Sequence, residues 1–494
     1  MMSVKRARMI RMMEQRAAYS RRARKGAAFG RLVLLVAAAM SVGGCSPDSI
    51  LQSDKLPPNI TDPAITKTPQ GAVAAYNGLH EQFRQAFGGG TAYTIETSVT
   101  AMGGLFSDEL QVGGSQLGAA SLPVDARSML EGAEDFQALV TYSKLQRVRG
   151  QASQAIGLLT RYASEQRAIT GHAYVLQAYA EIFLAELYCS GIPLSTLDFD
   201  GDYTLRPGSS TDEVYAHALA LLDTALTLVG DSVRFVNLAR LGQARAYMDL
   251  GQLDQAAAAV ASVPDDYEYA VGFLALSDSS ANFAYFHSLG LWGLSVADRE
   301  GVNGLDYRTS GDPRAATTQI GVSDYGWGIY HPDKYATDGG SPIVLASGVE
   351  ARLIGAEAAL HVDDASWLVT LNALRTNGTF TTRPNAQDST RTDTLWNAGT
   401  GGVARLAPLE DPGTPEARLD LLFRERAFWL FLTGHRQADL RRLVRNYGRA
   451  EYQVFPSGAY PAPGESYGSD VTIPIPVEER TSNPHFTGCI SRQA

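Results

Sequence analysis

The residues best suited to recognise a ligand sit close together in Asp324-Tyr325-Gly326-Trp327-Gly328-Ile329-Tyr330-His331, where glycines let aromatic rings be displayed on a loop. A sugar ring presents flat patches of C–H beside hydroxyls, so a sugar site combines an aromatic face with amide, carboxylate or guanidinium partners. Trp292, Tyr307, Arg308 and Tyr335 lie in the same irregular stretch. The alternative for each is that it plugs the core beneath a long loop; for Trp327 with Tyr325 the ligand reading is preferred. Chemistry that breaks bonds is harder to assemble. The eight His are scattered, and no HExxH, GxSxG, CxxC pair or phosphate-binding P-loop occurs. Asp265-Asp266 and Asp363-Asp364 are adjacent, hence point apart, and serve better as caps than as a glycosidase pair. Binding without turnover is expected, with no cofactor and no metal.

A different chemistry is suggested at Cys45. Ten basic residues and one acid precede an apolar run from Leu32 to Val42, which ends in Val42-Gly43-Gly44-Cys45. This is a basic head and a short apolar segment of an export signal, too short to span a bilayer, which needs about 20 residues. This segment resembles the bacterial lipobox, whose small residues let a peptidase approach the thiol, and Cys45 is the expected site of a lipid; the alternative is an ordinary signal cut near Gly44 with an incidental cysteine. Ser46 after the cysteine favours an outer membrane. Residues 1–44 are thus expected to be removed and 45–69, rich in Pro, Ser, Asp and Thr, to be a tether. Without residues 1–44 the chain holds 32 basic against 51 acidic residues, near minus 19. Nucleic acid, which demands clustered Lys and Arg, is an unsuitable partner. Cys189 and Cys489 remain. In an oxidising compartment they invite a bridge, unless Cys189 is simply a small buried residue and Cys489 lies in a frayed tail.

The elements that hold these residues are mostly helical. In 165–188, Ile169, Ala173, Leu176, Ala180, Phe183, Leu184 and Leu187 recur at steps of three and four, while Val175, Tyr179 and Ile182 line another face. That helix should be buried on more than one side. Ser209-Ser210-Thr211-Asp212 caps the next, which Gly230 ends. Ala244, Tyr247, Gly251, Ala256, Val260 and Pro264 resemble a tetratricopeptide hairpin. From 265 to 340 the period breaks into Gly, Asp, Tyr and Ser, a long insertion of the kind that is functional or disordered, and its aromatics argue against disorder. Helical period returns at 348–360 and 365–376, lapses over 377–400, and resumes at 416–432 and 437–444. The fold class expected is mostly α: tetratricopeptide-like hairpins forming a scaffold over 70–264 and 341–445, a loop-rich ligand-binding insertion over 265–340, and a C-terminal segment over 446–494.

Several segments, in order, resemble the SusD/RagB family of outer-membrane nutrient-binding lipoproteins. Residues 178–194 (AYAEIFLAELYCSGIPL) are similar to its long helix ending in a Tyr-Gly-x-Pro-Leu turn. Asp312-Pro313-Arg314, Lys334 and 341–360 (SPIVLASGVEARLIGAEAAL) follow its next motifs, and Leu371-Asn372-Ala373-Leu374-Arg375 its Leu-Asn-x-x-Arg. Residues 424–442 (RERAFWLFLTGHRQADLRR) resemble its Glu-Arg, Gly-x-Arg and Asp-Leu-x-Arg with matching spacings, trailed by Ile473-Pro474-Ile475-Pro476 and Asn483-Pro484. Trp429, Thr433 and Ala346-Ser347 depart from the pattern. Read physically, Glu425, Arg426, Arg436, Asp439 and Arg442 are spaced to pair, and Phe428 to Leu432 must be buried all round.

The resemblance implies a lipid-anchored, surface-exposed protein that captures an oligosaccharide and delivers it to a TonB-dependent (SusC-like) outer-membrane transporter, or a peptide in some relatives. It also adds an N-terminal loop to the site, 106–117 with Asp108 and Glu109. The ligand-binding set expected is therefore Trp327, Tyr325, Tyr330, Tyr335, Trp292 and Asp108. A rival of another class is a helical-repeat lipoprotein that assembles envelope proteins and takes no small ligand.

Overall fold

The computed structural model describes residues 67–89, 97–113, 121–129, 136–198, 202–275, 280–284, 293–323, 326–376, 380–384, 392–396, 406–461 and 465–494. Residues 64–494 cluster as one compact unit. Cys45, the export signal and nearly all of the tether lie outside the described residues.

The scaffold is a succession of helices, most of which pack on a neighbour in chain order. α1 (Pro69–Phe87) starts where Thr68 Oγ1 accepts from Gly71 N at 3.0 Å, with proline at the first position. α2 (Val99–Phe106), β1 (Leu110–Val112) and the single turn α3 (Leu122–Asp125) precede the two longest helices, α4 (Phe136–Tyr162) and α5 (Arg167–Leu187). From Thr170 to Leu187 every residue of α5 except Tyr174 is buried, as its two apolar faces require.

Four two-residue strands then form small ribbons: β2 (Ile192–Pro193) with β5 (Gly208–Ser209), and β3 (Thr196–Leu197) with β4 (Tyr203–Thr204). α6 (Thr211–Leu228) follows, entered through a capping box in which Ser210 and Glu213 satisfy each other's backbone N–H. α7 (Val233–Asp249) and α8 (Leu253–Val260) turn about Gly251, whose φ of +72° suits glycine. They form the hairpin that the small-residue pattern predicts.

β6 (Glu268–Val271), β7 (Leu294–Val296), a 3₁₀ turn at Pro313–Ala315, β8 (Thr317–Val322), β9 (Gly328–Pro332) and β10 (Ile343–Ser347) make up the insertion and its return. β10 runs into α9 (Gly348–His361) and α10 (Ser366–Thr376). The polar stretch after α10 holds a hairpin of β11 (Phe380–Pro384) and β12 (Thr392–Trp396). α11 (Pro415–Trp429), α12 (Arg436–Arg445), α13 (Glu451–Val454) and α14 (Val477–Ser482) complete the chain.

α4 packs on α1, α5 on α4, α6 on α5, α7 on α6, α8 on α7, α9 on α8 and α10 on α9. This unbroken order is the repeat-like architecture expected, in which neighbours jointly bury a continuous core. Phe83, Phe87, Phe183 and Tyr179 stack at its centre. The insertion is less formless than its composition suggests. β6 pairs with β10, closing it at the base, and β7 pairs with β1, tying it to the N-terminal helices.

The C-terminal segment seals the end of α5. Cys189 N donates to Ile473 O and Ile473 N to Leu187 O, each at 2.9 Å, while Arg441 Nη1 donates to the carbonyls of Ala185 and Glu186. A guanidinium there complements the negative end of the helix. Beside it Cys189 and Cys489 form a disulfide, with Cα atoms 5.9 Å apart.

Candidate functional site

The β8–β9 hairpin presents the exposed chemistry. Its loop closes through Ser323: Ser323 N donates to Trp327 O at 2.7 Å, Trp327 N to Ser323 Oγ at 3.1 Å, and Gly326 N to Ser323 O at 2.9 Å. Gly326 at φ +81° makes the turn that leaves Trp327 half-buried at the tip. Tyr330 is half-buried too. Its backbone N–H is held by Ser295 Oγ of β7 at 3.0 Å, and its ring lies across Gly328, where an added Cβ would stand 2.7 Å from Cε2. The Arg308 guanidinium covers that ring at 4.1 Å, and Gln319, directly opposite in the strand register, brings its amide within 3.5 Å of the Tyr330 hydroxyl. An indole, a phenol and an amide on one ribbon, with the Arg308 guanidinium laid over the phenol, are the parts a saccharide site needs.

Two of the expected ligand residues face inward instead. Asp108, 1% exposed, accepts from Arg436 Nε at 2.6 Å and Nη2 at 2.9 Å and from Leu305 N at 2.9 Å. It is a buried bidentate ion pair that ties the end of α2 to α12, because burying either charge alone would cost far more. Tyr335, 2% exposed, donates to Leu432 O at 2.6 Å and meets Phe283 edge-on. Tyr307 is likewise core, stacked on Phe431 at 4.8 Å. Glu109, the neighbour of Asp108, is fully enclosed and accepts from Leu432 N at 2.7 Å; burial and the Asp108 charge push its carboxyl up to about 8. Tyr325 and Trp292 lie outside the described residues. Of the expected set, then, Trp327 and Tyr330 come together on the hairpin, and Asp108 and Tyr335 are corrected to structural roles. Gln319 is the addition; only its register opposite Tyr330 marks it, and a register cannot be read before the strands are known to pair.

The motifs beneath the hairpin converge on one carboxylate. Glu425 accepts from Arg314 Nη1 at 2.7 Å and Nη2 at 3.1 Å, from Arg375 Nη1 at 2.6 Å and from Trp429 Nε1 at 3.1 Å. Burial works against its charge, but the two guanidiniums outweigh it and hold the carboxyl below its ordinary value. Arg426 and Arg442 share Asp439, at 2.9 Å and 2.6 Å. Lys334 donates to Phe431 O, and burial pulls its ammonium down to about 8. These groups fasten the insertion onto α10, α11 and α12. Among the described residues no group of three or more His, Cys, Asp or Glu is placed to hold a metal ion, and no helix is long and apolar enough to cross a membrane.

No family model matches the sequence, and no curated protein matches it either. Solved structures do. A SusD superfamily protein from Bacteroides thetaiotaomicron superposes with a TM-score of 0.59 at 16% identity, covering 86% of this chain and 100% of that one. A SusD-like carbohydrate binding protein from Bacteroides vulgatus gives 0.58 at 15% identity, over 85% and 97%. NanU of Bacteroides fragilis gives 0.59 at 14% identity, over 89% and 100%. Superposition over 97–100% of these neighbouring chains shows that this chain has the fold of the SusD superfamily.

Proposed function

We propose that this protein is a non-catalytic, lipid-anchored glycan receptor of the outer-membrane surface, which passes oligosaccharide to a TonB-dependent transporter. The observation that carries the reading is the β8–β9 hairpin, where the half-buried Trp327 and the half-buried, Arg308-covered Tyr330 lie with the Gln319 amide. Two neighbours of the same fold are described as a carbohydrate binding protein and a putative sugar binding protein, which supports the ligand class. The lipid on Cys45 and the transporter rest on the sequence resemblance.

The test is direct. Trp327→Ala is expected to weaken retention on a polysaccharide affinity gel about tenfold, equivalent to roughly 1.4 kcal/mol, with the melting temperature unchanged. Retention only of peptides would move the ligand class, and turnover of any retained glycan would remove the receptor reading. Metabolic labelling with an alkyne fatty acid should mark the wild type and not Cys45→Ser.

A further inference from the structure

Helix α4 carries Gly150 in its interior, where glycine is destabilising relative to alanine. Packing does not require it: a Cβ added there would meet Leu197 Cδ2 at 3.8 Å and Cβ at 3.9 Å, ordinary contacts. What the missing side chain leaves is the floor of a groove. The exposed face of α4 forms one wall with Ser143, Gln146 and Gln154. The β3–β4 ribbon forms the second with Leu197 and Tyr203, and Pro476 and α14 form the third with Glu478 and Glu479. This space holds about 520 Å³ and continues past Gly150 between Pro193, Ser195 and Leu205, within the size range of small-molecule sites.

The lining has a consistent chemistry. Tyr203 is 70% exposed at the rim, an aromatic plate with its apolar face in water. Some groups are fixed in place: Glu479 Oε2 accepts from the Tyr142 hydroxyl at 3.0 Å, and Gln146 Oε1 accepts from Arg149 Nη1 at 2.7 Å. Two others, Gln151 Oε1 and Glu478 Oε2, are shielded from solvent and have no hydrogen-bond partner among the described residues. Both are acceptors, so the missing partner is a donor. Hydroxyl-rich molecules supply donors beside flat C–H faces, and Glu478 and Glu479 outnumber the one lining cation, Arg147, so the groove favours an uncharged ligand over an anionic one. A peptide strand would need a sheet edge to extend, and β3 and β4 are two residues each.

The geometry points to a second saccharide-binding site in this groove, for an uncharged glycan chain. It rests on the glycan-receptor reading and adds to it a site built from α4, β3–β4 and α14, none of which contributes to the Trp327 hairpin. Two contact points on one polymer raise avidity without improving either contact.

Native gels containing starch, galactomannan or arabinoxylan, with polygalacturonate as the anionic counterpart, test it on the purified chain. Tyr203→Ala and Gly150→Leu alter the groove at its rim and at its floor, and neither removes a buried contact, so melting temperatures should hold. On the neutral polysaccharide that retards the wild type, each is expected to weaken retention at least threefold. Trp327→Ala should leave a residual retention that Trp327→Ala/Tyr203→Ala and Trp327→Ala/Gly150→Leu abolish. If neither groove substitution changes retention in either background, the second site is overturned and the receptor reading stands. If no polysaccharide, neutral or anionic, retards the wild type, both fall. Retention by polygalacturonate alone overturns the assignment to uncharged chains.

Discussion

Asp108 shows how a residue's chemistry and its direction are separate questions. A carboxylate on a loop beside aromatic residues has the right type for a sugar contact, yet Arg436 claims it from 328 positions away. Asp108→Ala is therefore expected to cost about 3–5 kcal/mol in urea unfolding, since it strands a buried guanidinium, while glycan retention by the folded fraction stays within twofold. Glu109 gives a pH signature. Its folded carboxyl titrates near 8 against an ordinary 4.5, so the native state holds a proton that the unfolded chain releases between those values. The stabilisation is complete below pH 4.5 and is lost as pH rises through 8. Glu109→Gln keeps an acceptor for Leu432 N and removes the titration. Its urea midpoint, compared with the wild type at pH 5 and pH 9, should shift in the variant's favour at the higher pH. The placement of Trp327 on a loop was legible because Gly326 and Gly328 flank it. That of Tyr335, eight residues further, was not, since in irregular backbone no period assigns a side chain to the inside or the outside.

At the scale of elements the helices were readable and the strands were not. The steps of three and four in 165–188 locate α5 within two residues of its ends, and Ser210 marks the start of α6. The strands are two to six residues long, and two of the pairs join segments far apart in sequence, β1 with β7 and β6 with β10, the latter across some 70 positions. No local pattern announces such a pair. The helix contacts also carry a titration. His217 of α6 meets Glu181 of α5 at 2.6 Å, and Glu181 is in turn held by Arg149 of α4 at 2.9 Å. The hydrogen bond to that carboxylate raises the His217 imidazole above its ordinary 6.5 against the opposing effect of burial. A raised histidine stabilises fully below pH 6.5, and the contribution fades as pH climbs through the folded value. Melting temperatures of the wild type should thus fall between pH 6 and pH 8.5, and His217→Ala should flatten that slope. His217 is 44% exposed, so the effect is modest and salt-sensitive.

For the molecule as a whole, the Cys189–Cys489 bond spans a sequence separation of 300, and the entropy it removes from the unfolded chain grows with that span. Replacing both cysteines with alanine is expected to lower the unfolding free energy by about 2–5 kcal/mol, measured in urea without reductant. The sequence leaves the pairing open because a count of two cysteines says nothing of distance; the docking of Ile473 on Leu187 supplies it. That same docking constrains how the protein comes into being. The longest buried helix is finished by backbone groups that emerge from the ribosome, and cross any membrane, almost 300 residues later. The N-terminal half must therefore wait with its centre unsealed, a ready client for holding chaperones until the last residues arrive, and a chain cut short by its final two dozen residues should remain open to proteases throughout.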